Sequence, residues 1–183
     1  MRLCILAICA SLCPAALMGA DVPRRSPEFA VPLANGKQAL LSEHRGKVTA
    51  ILFILTYCAH CQETVNVLSR LQAEYGPRGF QVLATAIDPM AKMAVPDFIR
   101  RFQPNFPLGY NDRDQALSYL QHPPTFKLWM PQLVLVDRQG IIQAQYAGDD
   151  TFFGADQEKN LREKIEGLLT RPAPAQKRKT ARR

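Results

Sequence analysis

The chain has 183 residues, of which 47% are hydrophobic and 21% charged, and it contains 14 prolines and five cysteines. This length suits one domain with short extensions, and the ordinary composition excludes a fully disordered or collagen-like chain. The formal net charge is +7, but six positive charges lie in residues 171–183, and residues 21–170 hold 16 basic and 16 acidic side chains. A nucleic-acid-binding domain usually has a basic patch within its fold, so the composition gives no support for a nucleic-acid partner.

The two ends of the chain differ in composition from the part between them. Residues 3–20 hold no charged side chain and follow Arg2, which is typical of a secretory signal and predicts export to the periplasm or cell envelope. Eighteen residues also reach the lower limit of a membrane span, so an uncleaved anchor is the alternative for residues 1–20. Residues 172–183 are rich in proline and basic residues without an apolar pattern, which predicts a disordered basic tail. The domain is expected over residues 21–171.

Four segments of that domain are predicted to be β-strands. Residues 48–55 read VTAILFIL, a nearly continuous apolar and β-branched run that is typical of a central strand covered on both faces. A second buried strand is predicted over 80–87. A third, over 133–136, is followed by the turn sequence DRQG and by a fourth strand over 141–146.

Four helices are predicted to alternate with these strands. The first follows Cys61 and ends at Gly76-Pro77, the second opens at Pro96, the third is capped by Asp114, and the last begins at Asp156. In the order of the helices, the residues of their apolar faces are Val65, Leu68, Leu71 and Tyr75 in the first; Val95, Phe98, Ile99 and Phe102 in the second; Leu117 and Leu120 in the third; and Leu161, Ile165 and Leu168 in the last. Strands that alternate with helices and end in a hairpin predict a three-layer α/β domain with a mixed sheet.

Cysteine usage points to a dithiol. Three of the five cysteines belong to the predicted signal, which leaves Cys58 and Cys61 in the spacing C-A-H-C. Cys58 lies directly after a buried strand and one residue before a helix, where unpaired N–H groups and the helix dipole favour a thiolate. Cys61 lies one turn further in, so it is expected to be more buried and suited to resolving a mixed disulfide. His60 either adds positive charge beside Cys58 or is a solvated loop histidine.

Two other interpretations of the cysteine pair are weaker. A structural disulfide closing so short a loop would contribute only about 2 kcal/mol in the chain-entropy model. A zinc site needs two further ligands at suitable spacing, and only His44 and His122 remain as other histidines. Copper is harder to exclude, because two thiolates and one histidine suffice. Redox chemistry is therefore favoured, and no metal ligand is assigned.

Beyond the cysteines themselves, the surrounding sequence resembles a known family. Residues 26–61 read SPEFAVPLANGKQALLSEHRGKVTAILFILTYCAHC, with a Pro-x-Phe start, a Gly-Lys hairpin, a Gly-Lys before the central strand and an aromatic–Cys-x-x-Cys ending. This pattern resembles the TlpA/ResA-like thioredoxin-fold thiol–disulfide oxidoreductases. The later run WMPQLVLVDRQGIIQ resembles the family's cis-proline strand and hairpin, so Pro131 would be the cis-proline. The resemblance covers roughly residues 26–170.

The resemblance implies a thioredoxin-like α/β/α domain with an N-terminal β-hairpin extension. It also implies that Cys58 and Cys61 form a redox-active disulfide, with Tyr57 where the family usually has tryptophan. A cis bond before Pro131 would expose the backbone of Met130 beside the dithiol, where an extended substrate could pair as an added strand. The implied activity is reduction of protein disulfides without an organic cofactor. Its electrons would come from a membrane-embedded thiol carrier, and apocytochrome c is one candidate substrate.

The chain also departs from the family pattern. Ala59-His60 replaces the common x-Pro dipeptide, and this C-x-H-C form resembles DsbA-type thiol oxidants, in which a stabilised thiolate favours the reduced enzyme. Many members have a glutamate three residues after the second cysteine, where this chain has Thr64, and Glu63 is expected to be a solvated charge on the helix face. The alternatives are therefore a DsbA-like oxidant and a non-catalytic copper-binding module that uses both cysteines and a histidine.

Four further residues lie near predicted strands. Asp88 and Asp137 end strands and are expected to be cap or turn residues rather than acids. His122, in QHPPTF, is expected in a loop near the Pro131 edge, and Trp129 either lines the substrate contact or fills the core. The peroxidatic pattern Pro-x-x-x-Thr-x-x-Cys of the peroxiredoxins, which share this fold, matches neither cysteine.

Overall fold

The computed structural model describes residues 20–172. The predicted signal and the predicted basic tail lie outside these residues, except for Ala20 and Pro172. No helix between residues 20 and 172 is long and apolar enough to cross a membrane.

A six-stranded mixed sheet forms the centre of the domain. Its strands are β1 (Arg24–Arg25), β4 (Val48–Ile54), β5 (Phe80–Ala86), β6 (Leu108–Tyr110), β7 (Gln132–Val136) and β8 (Ile141–Tyr146), in the order β1-β8-β7-β4-β5-β6. The pairs β4–β5 and β5–β6 are parallel, and β4–β7, β7–β8 and β1–β8 are antiparallel. All seven residues of β4 are buried, as its continuous apolar sequence predicted.

Helices and a hairpin cover the two faces of the sheet. The helices are α1 (Ala59–Tyr75), α2 (Ala91–Phe102), α3 (Arg113–Leu120) and α4 (Gln157–Leu169). On one face, α1, α2 and α4 pack on alternate β4 residues such as Leu52. On the other, α3 and the hairpin of β2 (Ala30–Pro32) and β3 (Gln38–Leu40) pack on Ile51 and Phe53. The predicted three-layer α/β architecture, mixed sheet and N-terminal hairpin are thus confirmed.

The hairpin lies close against the edge of the sheet. Asn111 Nδ2 donates to the carbonyl of Ala30 at 2.9 Å. Gly109 in β6 has no side chain, and a Cβ there would overlap the carbonyl of Pro32. The small residue therefore permits β2 to cross β6.

Two predicted helix starts are wrong. Pro96 does not open α2 but lies inside it, six residues into a helix that begins at Ala91. Ala91 and Val95 are buried on the core, and this packing extends the helix towards its N-terminus. Pro96 removes only one helical hydrogen bond, the one to the carbonyl of Lys92, which is exposed. In α3 the residue before the helix is Asp112, in extended conformation, so Asp114 lies in the first turn instead of capping it.

Candidate active site

The loop between β4 and α1 is fixed by hydrogen bonds to Thr56. The backbone N–H and the hydroxyl of Thr56 both donate to the Asp88 carboxylate, at 3.2 and 3.0 Å. Its carbonyl accepts from Gln62 Nε2 at 2.9 Å, and the N–H of Cys58 donates to the carbonyl of Leu55 at 3.1 Å. These bonds join the loop to the end of β5 and to the first turn of α1, and so fix the position from which Cys58 enters the helix.

The two cysteines lie at the start of α1 in different environments. Cys58 is the N-cap residue and is half-buried, and its sulfur accepts a hydrogen bond from the N–H of Cys61 at 3.3 Å. Cys61 is completely buried, with no exposed surface. Burial raises the pKa of the Cys61 thiol, and its hydrogen bond with Cys58 raises this pKa further.

A neutral, buried pair lies beneath the dithiol. Thr64, which takes the position of the family's glutamate, is buried one turn after Cys61. Its hydroxyl donates to the carbonyl of His60 at 2.9 Å and accepts from Gln157 Nε2 at 2.6 Å. Glu63 is exposed, as expected for a charge on the outer face of the helix. Neither side chain of the buried pair can accept a proton at neutral pH.

His60 lies in the first turn of α1 and is half-buried, so it is not a solvated loop histidine. Its Nε2 is 3.1 Å from the carbonyl of Phe153, and the two rings meet edge to face with their centroids 5.6 Å apart. Because a carbonyl only accepts, Nε2 is the donor. This bond joins the dithiol helix to the turn at Thr151–Phe153.

The strand beside the dithiol begins with a cis peptide bond between Met130 and Pro131. The register pairs Phe53 of β4 with Gln132 of β7, which puts Pro131 next to the end of β4, where the dithiol loop begins. Gly148 lies against the Met130 backbone, because a Cβ at Gly148 would overlap the Met130 carbonyl. The cis-proline predicted by resemblance is thus present and adjacent to the site.

Large apolar side chains are exposed on the loops and at the start of α2 at this end of the sheet. Tyr57 is 71% exposed and Met93 71%, while Trp129 is 45% exposed. Trp129 therefore lies at the surface rather than in the core, with the ammonium of Lys127 3.3 Å from the centre of its ring. Phe126 and Trp129 line a cavity of about 330 Å³ together with His122, Pro123, Lys127, Gln132, Ala147 and Asp149. His122 thus lies in a loop near the Pro131 edge, as expected.

The structure gives contacts to Asp88 and Asp137, which the sequence singled out, and adds Gln157, which it did not. Asp88 accepts a hydrogen bond from Thr56, 32 residues earlier, and so caps the dithiol loop. Asp137 accepts from the N–H groups of Gln139 and Ile141 and so closes its own turn. Gln157, in the last helix, was not predicted. No local signal could have revealed it, because its partner Thr64 is 93 residues away in the sequence. Among residues 20–172, no group of three His, Cys, Asp or Glu side chains is arranged to hold a metal ion.

This arrangement defines a class of protein: a thioredoxin fold with a dithiol at the start of the helix after its central strand and a cis-proline beside it. The AhpC/TSA family matches residues 22–145, and the chain belongs to this family. It is a thiol–disulfide oxidoreductase of that family.

Relatives and solved structures share this fold over most of their length. The chain is 27% identical over 136 residues to the thiol-disulfide oxidoreductase ResA of Geobacillus kaustophilus, covering 74% of each chain. It is 22% identical over 154 residues to ResA of Bacillus cereus, covering 84% of this chain and 80% of the relative. A crystal structure of a putative thiol:disulfide interchange protein DsbE from Chlorobium tepidum has a TM-score of 0.70 and 25% identity, covering 81% of this chain and 98% of that one.

Proposed function

We propose that the protein reduces disulfides of other proteins outside the cytoplasm, with Cys58 as the nucleophile and Cys61 as the resolving cysteine. The observation that carries this proposal is the unequal burial of the two sulfurs. Cys58 is half-buried at the N-terminus of α1, whereas Cys61 has no exposed surface and a raised pKa. A substrate sulfur can therefore reach Cys58 but not Cys61.

The proposed reaction transfers two electrons in two exchange steps. The Cys58 thiolate attacks one sulfur of the substrate disulfide, the substrate S–S bond breaks, and the released substrate thiolate takes up a proton. Cys61 then gives up its proton and attacks the Cys58 sulfur, which releases the second substrate thiol. The enzyme is left with a Cys58–Cys61 disulfide, and an external dithiol must reduce it before the next cycle.

The surface around Cys58 supports a protein substrate. Large apolar side chains are exposed in the loop before α1, at the start of α2 and in the loop before β7: Tyr57, Met90, Met93, Phe126 and Trp129. Exposed large apolar side chains beside a reactive group are suited to contact with a partner protein. The backbone of Met130 begins the adjacent strand, where an extended substrate segment would pair.

The hydrogen bonds of the site favour reduction over oxidation. Strongly oxidising dithiol proteins stabilise the thiolate of their reduced form. Among the described residues, the Cys58 sulfur receives hydrogen bonds only from Cys61, and His60 donates to Phe153 instead. His60 Nε2 therefore gives the Cys58 sulfur no hydrogen bond, which supports the direction implied by the TlpA/ResA-like resemblance.

The remaining parts of the proposal concern location and partners. Residues 1–20 act as the export signal, residues 172–183 form a basic tail, and the dithiol carries the electrons without an organic cofactor. A membrane thiol carrier supplies the electrons, and apocytochrome c is a candidate substrate. The copper-module alternative is less well supported, because the Nε2 atom of His60, the histidine between the cysteines, is bonded to Phe153.

The reduction potential of the Cys58–Cys61 pair tests this function. Equilibration of the purified protein with glutathione buffers should give a reduction potential of about −270 mV, as for thioredoxin, and the protein should reduce insulin. A reduction potential of about −120 mV would make the protein an oxidant. The two values differ by about 7 kcal/mol for two electrons, so the measurement separates them clearly. Copper retained through purification with no exchange activity would favour the metal module.

A further inference from the structure

A second cavity lies at the end of the sheet opposite the dithiol. It has a volume of about 510 Å³ and is lined by the segment around β1, the turn before β4 and the turn between β7 and β8. Lys47 precedes β4 and Cys58 follows it, and a seven-residue strand spans about 20 Å, so this cavity is remote from the dithiol. Its volume lies within the range of about 300–1,000 Å³ that is typical of small-molecule sites.

The charged side chains around this cavity are predominantly cationic. They are Arg25, Glu28, Arg45, Lys47, Asp137 and Arg138. The ion pairs found among residues 20–172 involve other cations, so none of these four basic residues is neutralised by a carboxylate of the described chain.

The two acids are already used by neighbouring groups. Asp137 accepts from the N–H groups of Gln139 and Ile141 and from Gln143 Nε2, and Glu28 accepts from the N–H of Ser42. The four basic and two acidic side chains together leave the lining with a net positive charge.

Two buried nitrogen atoms of the lining residues have no hydrogen-bond partner among the described residues. They are Nε2 of His44 and Nε of Arg138. The guanidinium of Arg138 has one bond elsewhere, from Nη2 to the carbonyl of Arg78 at 3.2 Å. Burial, and then the nearby charge of Lys47, lower the pKa of His44, so its ring is neutral at neutral pH and carries one N–H. Buried polar atoms without partners are uncommon in folded proteins, and these two belong to residues that line the cavity.

We propose that this cavity binds a small organic anion through a phosphate or carboxylate group. The basic side chains of Arg25, Arg45, Lys47 and Arg138 line the cavity and supply the positive charge. Guanidinium groups match the planar, multidentate acceptors of such anions. The site is separate from the dithiol, so the proposal does not depend on the thiol chemistry.

The test uses inorganic phosphate and succinate as probes, with sodium chloride at the same ionic strength as the control for screening. Saturable stabilisation should appear as a rise in melting temperature with one or both probes, because a ligand that binds only the folded state stabilises it. In two-dimensional NMR spectra, the amide signals of Arg45, Gly46 and Gly140 should shift along the same titration. A response to phosphate alone or to succinate alone identifies which acid group the site takes.

Two matched double variants test the location. Arg45→Gln with Lys47→Gln removes two charges from the lining and should weaken binding about tenfold or more. Arg100→Gln with Arg101→Gln removes the same charge from α2, away from the cavity, and should leave binding unchanged. If the first variant fails to fold, Arg25→Gln at the β1 side of the cavity provides the same comparison. An equal response to chloride, no saturable response to either probe, or equal losses in both double variants would overturn the proposal.

Discussion

The loop that leads into α1 and the first buried turn of α1 each hold one cysteine, and they differ in how far they expose its sulfur. In the loop, hydrogen bonds from Thr56 to Asp88 fix the backbone and leave the Cys58 sulfur partly exposed. In the turn, Cys61 is covered completely and lies above the neutral Thr64–Gln157 pair. Two identical side chains three residues apart thus become an accessible nucleophile and a protected thiol. The difference arises from position in the fold rather than from residue type.

The largest expected effect comes from removing one cysteine at a time. Cys61→Ser should accumulate covalent mixed disulfides with substrates, because Cys58 still attacks but nothing resolves the adduct. Cys58→Ser should trap almost nothing, because the remaining sulfur is buried. Non-reducing gels and mass spectrometry of protein expressed in a cell envelope provide the measurement. Equal trapping by both variants would contradict the assignment of roles, and trapping by neither would favour the copper module.

A smaller effect is expected from releasing the loop while both cysteines remain. Asp88→Ala removes the acceptor of two Thr56 hydrogen bonds and should cost about 1–3 kcal/mol of unfolding free energy. It should also slow insulin reduction at a temperature where the variant is folded, because Cys58 is no longer held in place. Urea unfolding and the insulin assay measure the two effects.

The matched control for that variant is Asp112→Ala. Asp112 precedes α3, is exposed and makes no side-chain bond to the helix it precedes, so its loss should change stability by less than about 0.5 kcal/mol. If Asp112→Ala slowed insulin reduction as much as Asp88→Ala, the loop would not depend on the Thr56 contacts.

The smallest effect concerns the dependence of stability on pH. Burial raises the pKa of Cys61 in the folded protein above the ordinary thiol value of about 8.5, so above that pH the unfolded chain releases a proton that the folded chain keeps. The buried neutral thiol therefore stabilises the folded protein fully only below pH about 8.5. This stabilisation is lost as the pH rises, by up to about 1.4 kcal/mol per pH unit. Urea unfolding of the reduced protein between pH about 8 and 9 measures this slope, below the ordinary tyrosine pKa of about 10.

Two variants of the same chain are controls for this slope. Cys61→Ser should reduce the slope, whereas Cys58→Ser should retain it. The disulfide form has no free thiol at either position and should show the smallest dependence. A slope that Cys61→Ser leaves unchanged would mean that another group is responsible.

The sequence predicted those parts of the site that depend on local order along the chain. Cys58 follows a buried strand and begins a helix, so its position could be read from VTAILFIL and the helical spacing after it. The contacts of Asp88 with Thr56 and of Gln157 with Thr64 join segments 32 and 93 residues apart, and no pattern in one sequence reveals them. The sequence did not reveal β6 either, because its three residues are too few to show the alternation of a strand.

The errors in helix boundaries have a related cause. Local rules made Pro96 a helix start, but tertiary packing of Ala91 and Val95 on the core carries α2 past it in the N-terminal direction. Resemblance to a family supplied what local rules could not, namely the cis-proline at residue 131 and the hairpin that precedes the sheet. The packing of His60 on Phe153 followed from neither source.

Alkylation of the reduced protein tests the central claim, that the fold makes the two sulfurs unequal. A brief exposure to iodoacetamide at neutral pH, followed by peptide mapping, reports each cysteine separately in the native chain without any mutation. The account predicts that Cys58 carries the label and that Cys61 stays unlabelled until the protein is unfolded in urea. Labelling of both cysteines at the same rate, or of Cys61 first, would contradict it.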